Sequence, residues 1–386
     1  MSDTPQISIL IPIYNVESYL VECLDSVVSQ SFGDFEVLCI NDGSTDASRD
    51  IIMSYVDKDP RFRLLDKPNS GYGASMNRGL DEARGTYIAI LESDDFYAPD
   101  MLQKLHAAAE ANDAQVVKAN CYHYWSTPRK KSVFRQLVPR NLYGQVVDTR
   151  ERRAIFYLQQ SLWSGLYRRD FLDGFGIRFL ETPGASYQDA SFTFKVWFLC
   201  SRAVFLPDAL LYYRQDNMSS SVNSAAKVYC VVDEFHEIER FVAERSAFEH
   251  EASEREGFGC ESLEHEVTGH TAFDWAAGLV VKLKFDTYLW NYERLAEEFK
   301  LEFLLHMATE LRADVASGAL DWSLFERWDA LDLQAILASP EAYHQARSKS
   351  GHGSNTGKAR YMLSTGGPVT LARFIHHKLS GRYYDR

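Results

Sequence analysis

No run of 18 or more apolar residues occurs in the 386-residue chain, which excludes a membrane-spanning helix from the reading. The opening Met1-Ser2-Asp3-Thr4-Pro5-Gln6 lacks the basic and apolar regions of a signal peptide. The six cysteines (Cys23, Cys39, Cys121, Cys200, Cys230, Cys260) are scattered, with no C-x-x-C pair. They predict reduced, mostly buried thiols in a cytoplasmic protein. No GKS or GKT follows the glycine-rich loop at 69–73, and G-x-G-x-x-G is missing, so neither a Walker loop nor a dinucleotide fingerprint is present. Positive charge is scarce: 41 Lys and Arg against 54 Asp and Glu give a net charge of −13, which argues against general nucleic-acid binding.

The length predicts two or three domains, and 46% hydrophobic and 25% charged residues are ordinary for a globular protein. The first part alternates strand and helix signals. Apolar runs at 7–13, 35–40, 62–65 and 86–91 predict buried parallel strands. Helical patterns through Leu20 to Val28, Ile51 to Val56 and Met76 to Ala83 lie between them, with Gly85 read as the C′ glycine of the third. Polar residues gather after each strand, at the edge where α/β sheets bind ligands. These are Tyr14, Asn15 and Glu17, then Asp42, then 70–73, then Glu92 to Asp95. The last cluster, Glu92-Ser93-Asp94-Asp95, crowds three carboxylates at one strand end. Such a cluster suits a hard divalent cation such as Mg²⁺ or Mn²⁺, and suits equally a solvated acidic turn before a helix.

Three blocks in order, Ile11-Pro12-Ile13-Tyr14-Asn15, Asn41-Asp42-Gly43-Ser44-Thr45-Asp46 and Leu91-Glu92-Ser93-Asp94-Asp95, resemble the family 2 inverting glycosyltransferases of the GT-A fold. The resemblance implies an α/β fold with a Rossmann-like, mostly parallel central sheet. It also implies a nucleotide-sugar donor, a UDP-sugar by preference, with contacts from Pro12, Tyr14, Asn15, Glu17, Asp42, Gly73, Asn77, Glu92, Ser93 and Asp94. Asp42 would accept the base imide N–H, and Tyr14 would lie against the ring. Asp94 would hold Mn²⁺ or Mg²⁺ on the diphosphate. The chain departs from the family at Glu92, where an Asp is usual, and at Met76, where an Arg often precedes the helical Asn.

Farther on, strand 115–122, a basic-then-mixed loop or hairpin at 127–148 and Leu162 to Arg169 resemble the acceptor half. Trp163 reads as a sugar platform or as a core tryptophan. Gln188-Asp189 stands where the family carries Glu-Asp, so the resemblance makes Asp189 the general base; from the residues alone, without the upstream motifs, the helix cap is the favoured reading. Arg214 and Ser219 to Ser221, after strands at 203–206 and 210–214, resemble a segment near the diphosphate, or form a surface Arg before a serine-rich loop.

From Ala225 the pattern becomes helical, with stripes at 228–242, 272–311 and 320–337 and a charged loop at 249–256. Glu326-Arg327-Trp328 is not the Q-x-x-R-W of processive synthases, so single-sugar transfer is expected. The expected divisions are 1–112 for the nucleotide-sugar half, 113–224 for the acceptor half, 225–345 for a helical domain and 346–386 for a linker and tail. Residues 345–386 hold eight Lys or Arg and one acidic residue, and 369–386 read as a short basic amphipathic helix. That helix predicts contact with an anionic membrane surface, or with the acidic body of the protein. The expected acceptor is a glycan or lipid-linked hydroxyl. A homo-oligomer stays open, as do a degenerate nucleotide-binding scaffold and a same-fold transferase of a polyol phosphate.

Overall fold

The computed structural model describes residues 4–185, 187–217, 228–256 and 274–349, with isolated positions at Leu363, Gly367 and Ala372. The chain divides between Asn223 and Ser224 into two compact units.

The first unit holds β1 (Ile7–Ile13), α1 (Glu17–Val28), β2 (Phe35–Asp42), α2 (Ser48–Val56), β3 (Phe62–Lys67), α3 (Tyr72–Glu82), β4 (Tyr87–Ile90) and β5 (Phe96–Tyr97). It continues with α4 (Met101–Asn112), β6 (Val116–Trp125), β7 (Lys131–Arg135), β8 (Val146–Val147), β9 (Gly165–Arg168), α5 (Arg169–Gly174), α6 (Gln188–Leu199) and β10 (Ala203–Arg214). The strands form one sheet in the order β3-β2-β1-β4-β9-β6-β10-β5, with β7 beside β6 and β8 beside β10. β1 pairs in parallel with both β2 and β4. Every residue of β1 and β2 is buried, as continuous apolar runs require between two neighbours and two helical layers. Leu10 gives its carbonyl to Leu91 N at 3.0 Å. By strand alternation the missing N–H of Pro12 faces that same side, beyond the last β1–β4 pair, where no ladder bond is lost.

Three expectations are corrected. Gly85 does not cap α3, which ends at Glu82 with extended Ala83 after it. Gly85 is needed because β1 passes so closely: a Cβ there would lie 2.5 Å from Ser8 N. Its N–H and that of Arg84 donate to Ser8 Oγ and Glu36 Oε1, at 2.8 Å each, inside a buried polar knot. Strands expected at 203–206 and 210–214 are one strand, β10, with register shifts near Pro207. The charged stretch 249–256 is not a loop but the end of α7 (Cys230–Glu256).

The second unit consists of α7, α8 (Asp274–Arg294), α9 (Glu297–Ser317), α10 (Arg327–Ala338) and α11 (Pro340–Lys349). Phe235, Phe285, Tyr288, Phe303 and Met307 fill its core. Lys284 lies in that core and carries Glu239 at 2.6 Å and Asp314 at 2.7 Å. The helical unit runs past the expected boundary at 345: Arg347 on α11 is buried against Glu293 and Asp332. The amphipathic helix at 369–386 lies outside the described residues apart from Ala372. Among the described residues, no helix is long and apolar enough to cross a membrane. There, five cysteines are unpaired and four of them are buried.

Candidate active site

The loops after β1, β2, β3 and β4 open at one edge of the sheet, and side chains knit them together. Asn15 adopts a left-handed backbone, φ 49°, which Asn tolerates better than most residues. Its Oδ1 accepts Thr45 N at 2.8 Å, and its own N donates to Ser44 Oγ at 3.1 Å. Glu17 N donates to Asp46 Oδ2 at 3.0 Å, while Glu17 Oε2 accepts Ala47 N at 2.8 Å. Asn15 and Glu17 therefore lock the first loop to the second. Tyr14, at their side, is 52% exposed, with its ring open to solvent. Asp42 ends β2, buried at 6% exposure. Its Oδ1 accepts Ser70 N at 2.9 Å and the Lys67 ammonium, and its Oδ2 accepts Gly71 N at 3.0 Å. The carboxylate thus anchors the glycine-rich loop, and Oδ2 keeps one acceptor position beyond that bond.

Gly73 and Asn77 meet protein. A Cβ on Gly73 would lie 2.0 Å from Leu180 O, so only glycine lets the start of α3 approach the 180–182 backbone. The Asn77 amide is spent on Phe179 N (2.9 Å), Phe179 O (3.0 Å) and Glu181 Oε1 (2.8 Å). Tyr72 N donates to Gly184 O at 2.8 Å. Gln188, whose family counterpart is acidic, donates through Nε2 to Thr182 Oγ1 at 2.9 Å. These contacts seat the segment that leads into α6, and with it Asp189. Arg78, on α3, is exposed and pairs with Glu82 at 2.8 Å.

Asp189 is not the cap of α6. That position belongs to Tyr187, in the left-handed region at φ 60°, and Asp189 falls in the first turn, partly buried. Burial pushes its carboxyl up to about 6, against the pull of the N–H groups of Asp189 and Ala190. Glu92 is pushed up to about 7, chiefly by burial, with the Asp94 and Asp189 charges adding to it. The Tyr72 hydroxyl, donating to Glu92 Oε1 at 2.7 Å, works the other way. Tyr72 itself feels both Glu92 and Asp189. Glu92, from the β4 turn, is thus bonded to Tyr72, and the charge of Asp189, from the start of α6, acts on both. In the sequence Tyr72 stands within the polar cluster at 70–73 with no role of its own, and its setting between Gly71 and Gly73 is the available signal.

The acidic turn is held from β10. Arg214 is buried, with a side chain 2% exposed, so it is not the surface arginine allowed by the sequence. It gives its backbone N to Asp95 Oδ1 at 2.7 Å, its Nε to Asp94 O at 2.8 Å and a terminal nitrogen to Glu22 Oε2. Asp95 Oδ2 is buried with no hydrogen-bond partner, and burial drives that carboxyl well up. Asn217, another residue not singled out from sequence, donates to Asp94 Oδ2 at 2.8 Å. Asp94 and Ser93 are partly exposed on the turn. Trp163 resolves to the core: it is 6% exposed and stacks on Tyr213 at 4.9 Å and 16°. Ser219 to Ser221 lie outside the described residues.

Among the described residues, no three His, Cys, Asp or Glu side chains form a metal cage. The turn offers oxygen donors from one or two carboxylates, and Asp94 Oδ1 makes no hydrogen bond among the described residues. This set fits a hard divalent ion whose remaining positions are filled by phosphate oxygens and water.

Residues 8–173 match the family described as Glycosyl transferase family 2. The uncharacterized glycosyltransferase EpsJ of Bacillus subtilis (strain 168) is 31% identical over 217 residues, 55% of this chain and 62% of that protein. The uncharacterized glycosyltransferase YibD of Escherichia coli (strain K12) is 30% identical over 226 residues, 57% of this chain and 64% of its own length. The match therefore spans less than two thirds of either relative. In fold, the chain is similar to S. aureus TarS 1-349 in complex with UDP-GlcNAc, with a TM-score of 0.64, 19% identity and coverage of 90% of this chain and 92% of that one. The loops after β1, β2, β3 and β4 and the acidic turn thus fall within the stretch that matches Glycosyl transferase family 2, on a GT-A fold, while Asp189 and Arg214 lie beyond that stretch.

Proposed function

We propose that the chain transfers a single sugar from a nucleotide diphosphate sugar, a UDP-sugar by preference, to a hydroxyl of a glycan or lipid-linked acceptor, with inversion. The observation that carries this reading is the Tyr72–Glu92 hydrogen bond on the acidic turn, with the Asp189 carboxyl near enough for its charge to act on both groups and the Asp94 charge acting on Glu92. Asp189 takes the acceptor hydroxyl proton. Its proton affinity, near 6, leaves it ionised at neutral pH and still basic enough to act. The deprotonated oxygen attacks the anomeric carbon opposite the diphosphate, so one displacement inverts the centre.

Asp94 would hold Mn²⁺ or Mg²⁺, with Glu92 beside it, and the ion supplies neutralisation of the departing diphosphate. Pro12, Tyr14, Asn15, Glu17 and Ser93 line the donor side, with Tyr14 against the base and Asp42 Oδ2 accepting its imide N–H. Gly73 and Asn77 serve the donor through the segment they seat. Tyr72 holds Glu92 in place. A second reading, a nucleotide-binding scaffold without turnover, draws on Glu92 and on Gln188, which is occupied with Thr182.

Release of UDP from UDP-sugars, with and without Mn²⁺, tests the proposal. Metal-dependent turnover is expected and EDTA should abolish it. Full activity in excess EDTA would remove the metal from the proposal, and binding without turnover would favour the scaffold.

A further inference from the structure

Between Asp113 and Asp148 this acidic chain carries six Lys or Arg and no acidic residue. Lys118 is buried. Four of the others, Arg129, Lys130, Lys131 and Arg135, lie on the β6–β7 hairpin, and all four are exposed. None of the four forms an ion pair among the described residues. Elsewhere in the unit, cations such as Arg49, Arg63, Arg84, Arg168 and Arg178 are tied to carboxylates.

The register, from Cys121 opposite Arg135 to Trp125 opposite Lys131, leaves β7 with β6 as its one strand partner among the described residues. All five β7 residues are exposed. Val133 is 42% and Phe134 48% exposed, on opposite faces of the strand, and the Lys131 ammonium lies 5.3 Å from the Trp125 ring centre. An edge strand often carries a lysine to prevent edge-to-edge pairing. That purpose does not account for four unpaired cations beside two exposed apolar side chains. Basic residues mixed with exposed apolar ones are the composition of an interfacial anchor.

The base of the hairpin is fixed. Asp216 Oδ2 accepts Ser126 N at 2.7 Å, Thr127 N at 2.9 Å and both hydroxyls, at 2.7 and 3.1 Å. Its neighbour Asn217 grips Asp94. The hairpin is therefore tied to the same strand end that holds the acidic turn.

We infer that the β6–β7 hairpin is a membrane contact, with its four cations on anionic lipid head groups and Phe134 and Val133 entering the head-group boundary. Phe134 packs edge-on against Tyr122 yet stays 48% exposed; a soluble polyanion would use the cations and not that open apolar surface, so the bilayer fits better. Lipid binding does not depend on the proposed transfer reaction. Its use, bringing a lipid-linked acceptor to Asp189, rests on that reading.

The test uses the full chain and vesicles of phosphatidylcholine with or without phosphatidylglycerol. Co-sedimentation is expected with phosphatidylglycerol alone and should fall with salt. The R129Q/K130Q/K131Q/R135Q variant should bind about 10²-fold more weakly or worse, since each near-surface cation contributes roughly a factor of five. Phe134→Trp should show, relative to the wild-type protein, an added blue-shifted emission with anionic vesicles. That is a direct readout of insertion in a protein whose hairpin charge is intact. Undiminished vesicle binding by the quadruple variant, or no emission shift in the Phe134→Trp protein, overturns the inference. Tight binding of soluble polyphosphate without vesicle binding also overturns it, in favour of a polyanionic ligand. UDP release, measured in parallel on the same proteins, judges the transferase reading separately.

Discussion

At Asp189, burial raises proton affinity while two N–H groups lower it, and the balance lies near 6. A base works when deprotonated, so kcat/KM should climb as pH rises through about 6 and level off above it. A pH profile already flat from pH 5 upward would count against the assignment. Asp189→Asn should reduce transfer by about 10² to 10⁴-fold, with donor affinity nearly unchanged, as calorimetry can check. Asp42 is a harder residue to test, because it does two things. Asp42→Ala should erase any preference for UDP over GDP. It also leaves Lys67, Ser70 N and Gly71 N without their acceptor, so a loss of roughly 2–4 kcal/mol of stability should accompany it. Equal affinity of the wild-type protein for the two nucleotides would end the uracil assignment.

Among the elements, the segment from Phe179 to Gln188 and its seat on α3 set where α6 begins. Asn77 makes three hydrogen bonds there, one of them to a buried backbone N–H. Asn77→Ala should cost about 2–3 kcal/mol, a Tm fall of about 5–10 °C, and should lower kcat more than donor affinity. Loss of donor binding with Tm intact would mean that Asn77 touches the nucleotide after all. This element also marks where sequence reasoning stops. The parallel strands and the E-S-D-D turn were legible because each is a local pattern: an apolar run, then polar residues at its end. Gly73 and Asn77 were legible as special, but their partners lie about a hundred residues downstream, and local spacing cannot tell a phosphate from a backbone carbonyl. Lys284 was illegible for a related reason. A lysine in a helical stripe reads as solvent-facing unless Glu239 and Asp314, from two other helices, are known to reach it.

For the whole molecule, charge sets the terms of any encounter with a bilayer. A chain of net charge −13 is repelled by an anionic surface, so local basic surfaces have to overcome the body. One weak anchor gives reversible binding, and stable attachment takes two. The hairpin supplies one. We propose the basic amphipathic stretch at 369–386 as the second, on its sequence alone: a helix there would set Leu371, Ile375 and Leu379 on one face, with Lys378 beside it and Arg373 opposite. Truncation after Thr365 should then weaken co-sedimentation with phosphatidylglycerol vesicles and flatten its salt dependence. UDP release should stay at the wild-type rate, because Glu92, Asp94 and Asp189 lie outside the removed segment. Combined with the quadruple hairpin variant, the truncation should multiply the loss, as independent contacts do. Unchanged vesicle binding after truncation would assign the tail to the acidic body of the protein instead, where salt would loosen it without any lipid present.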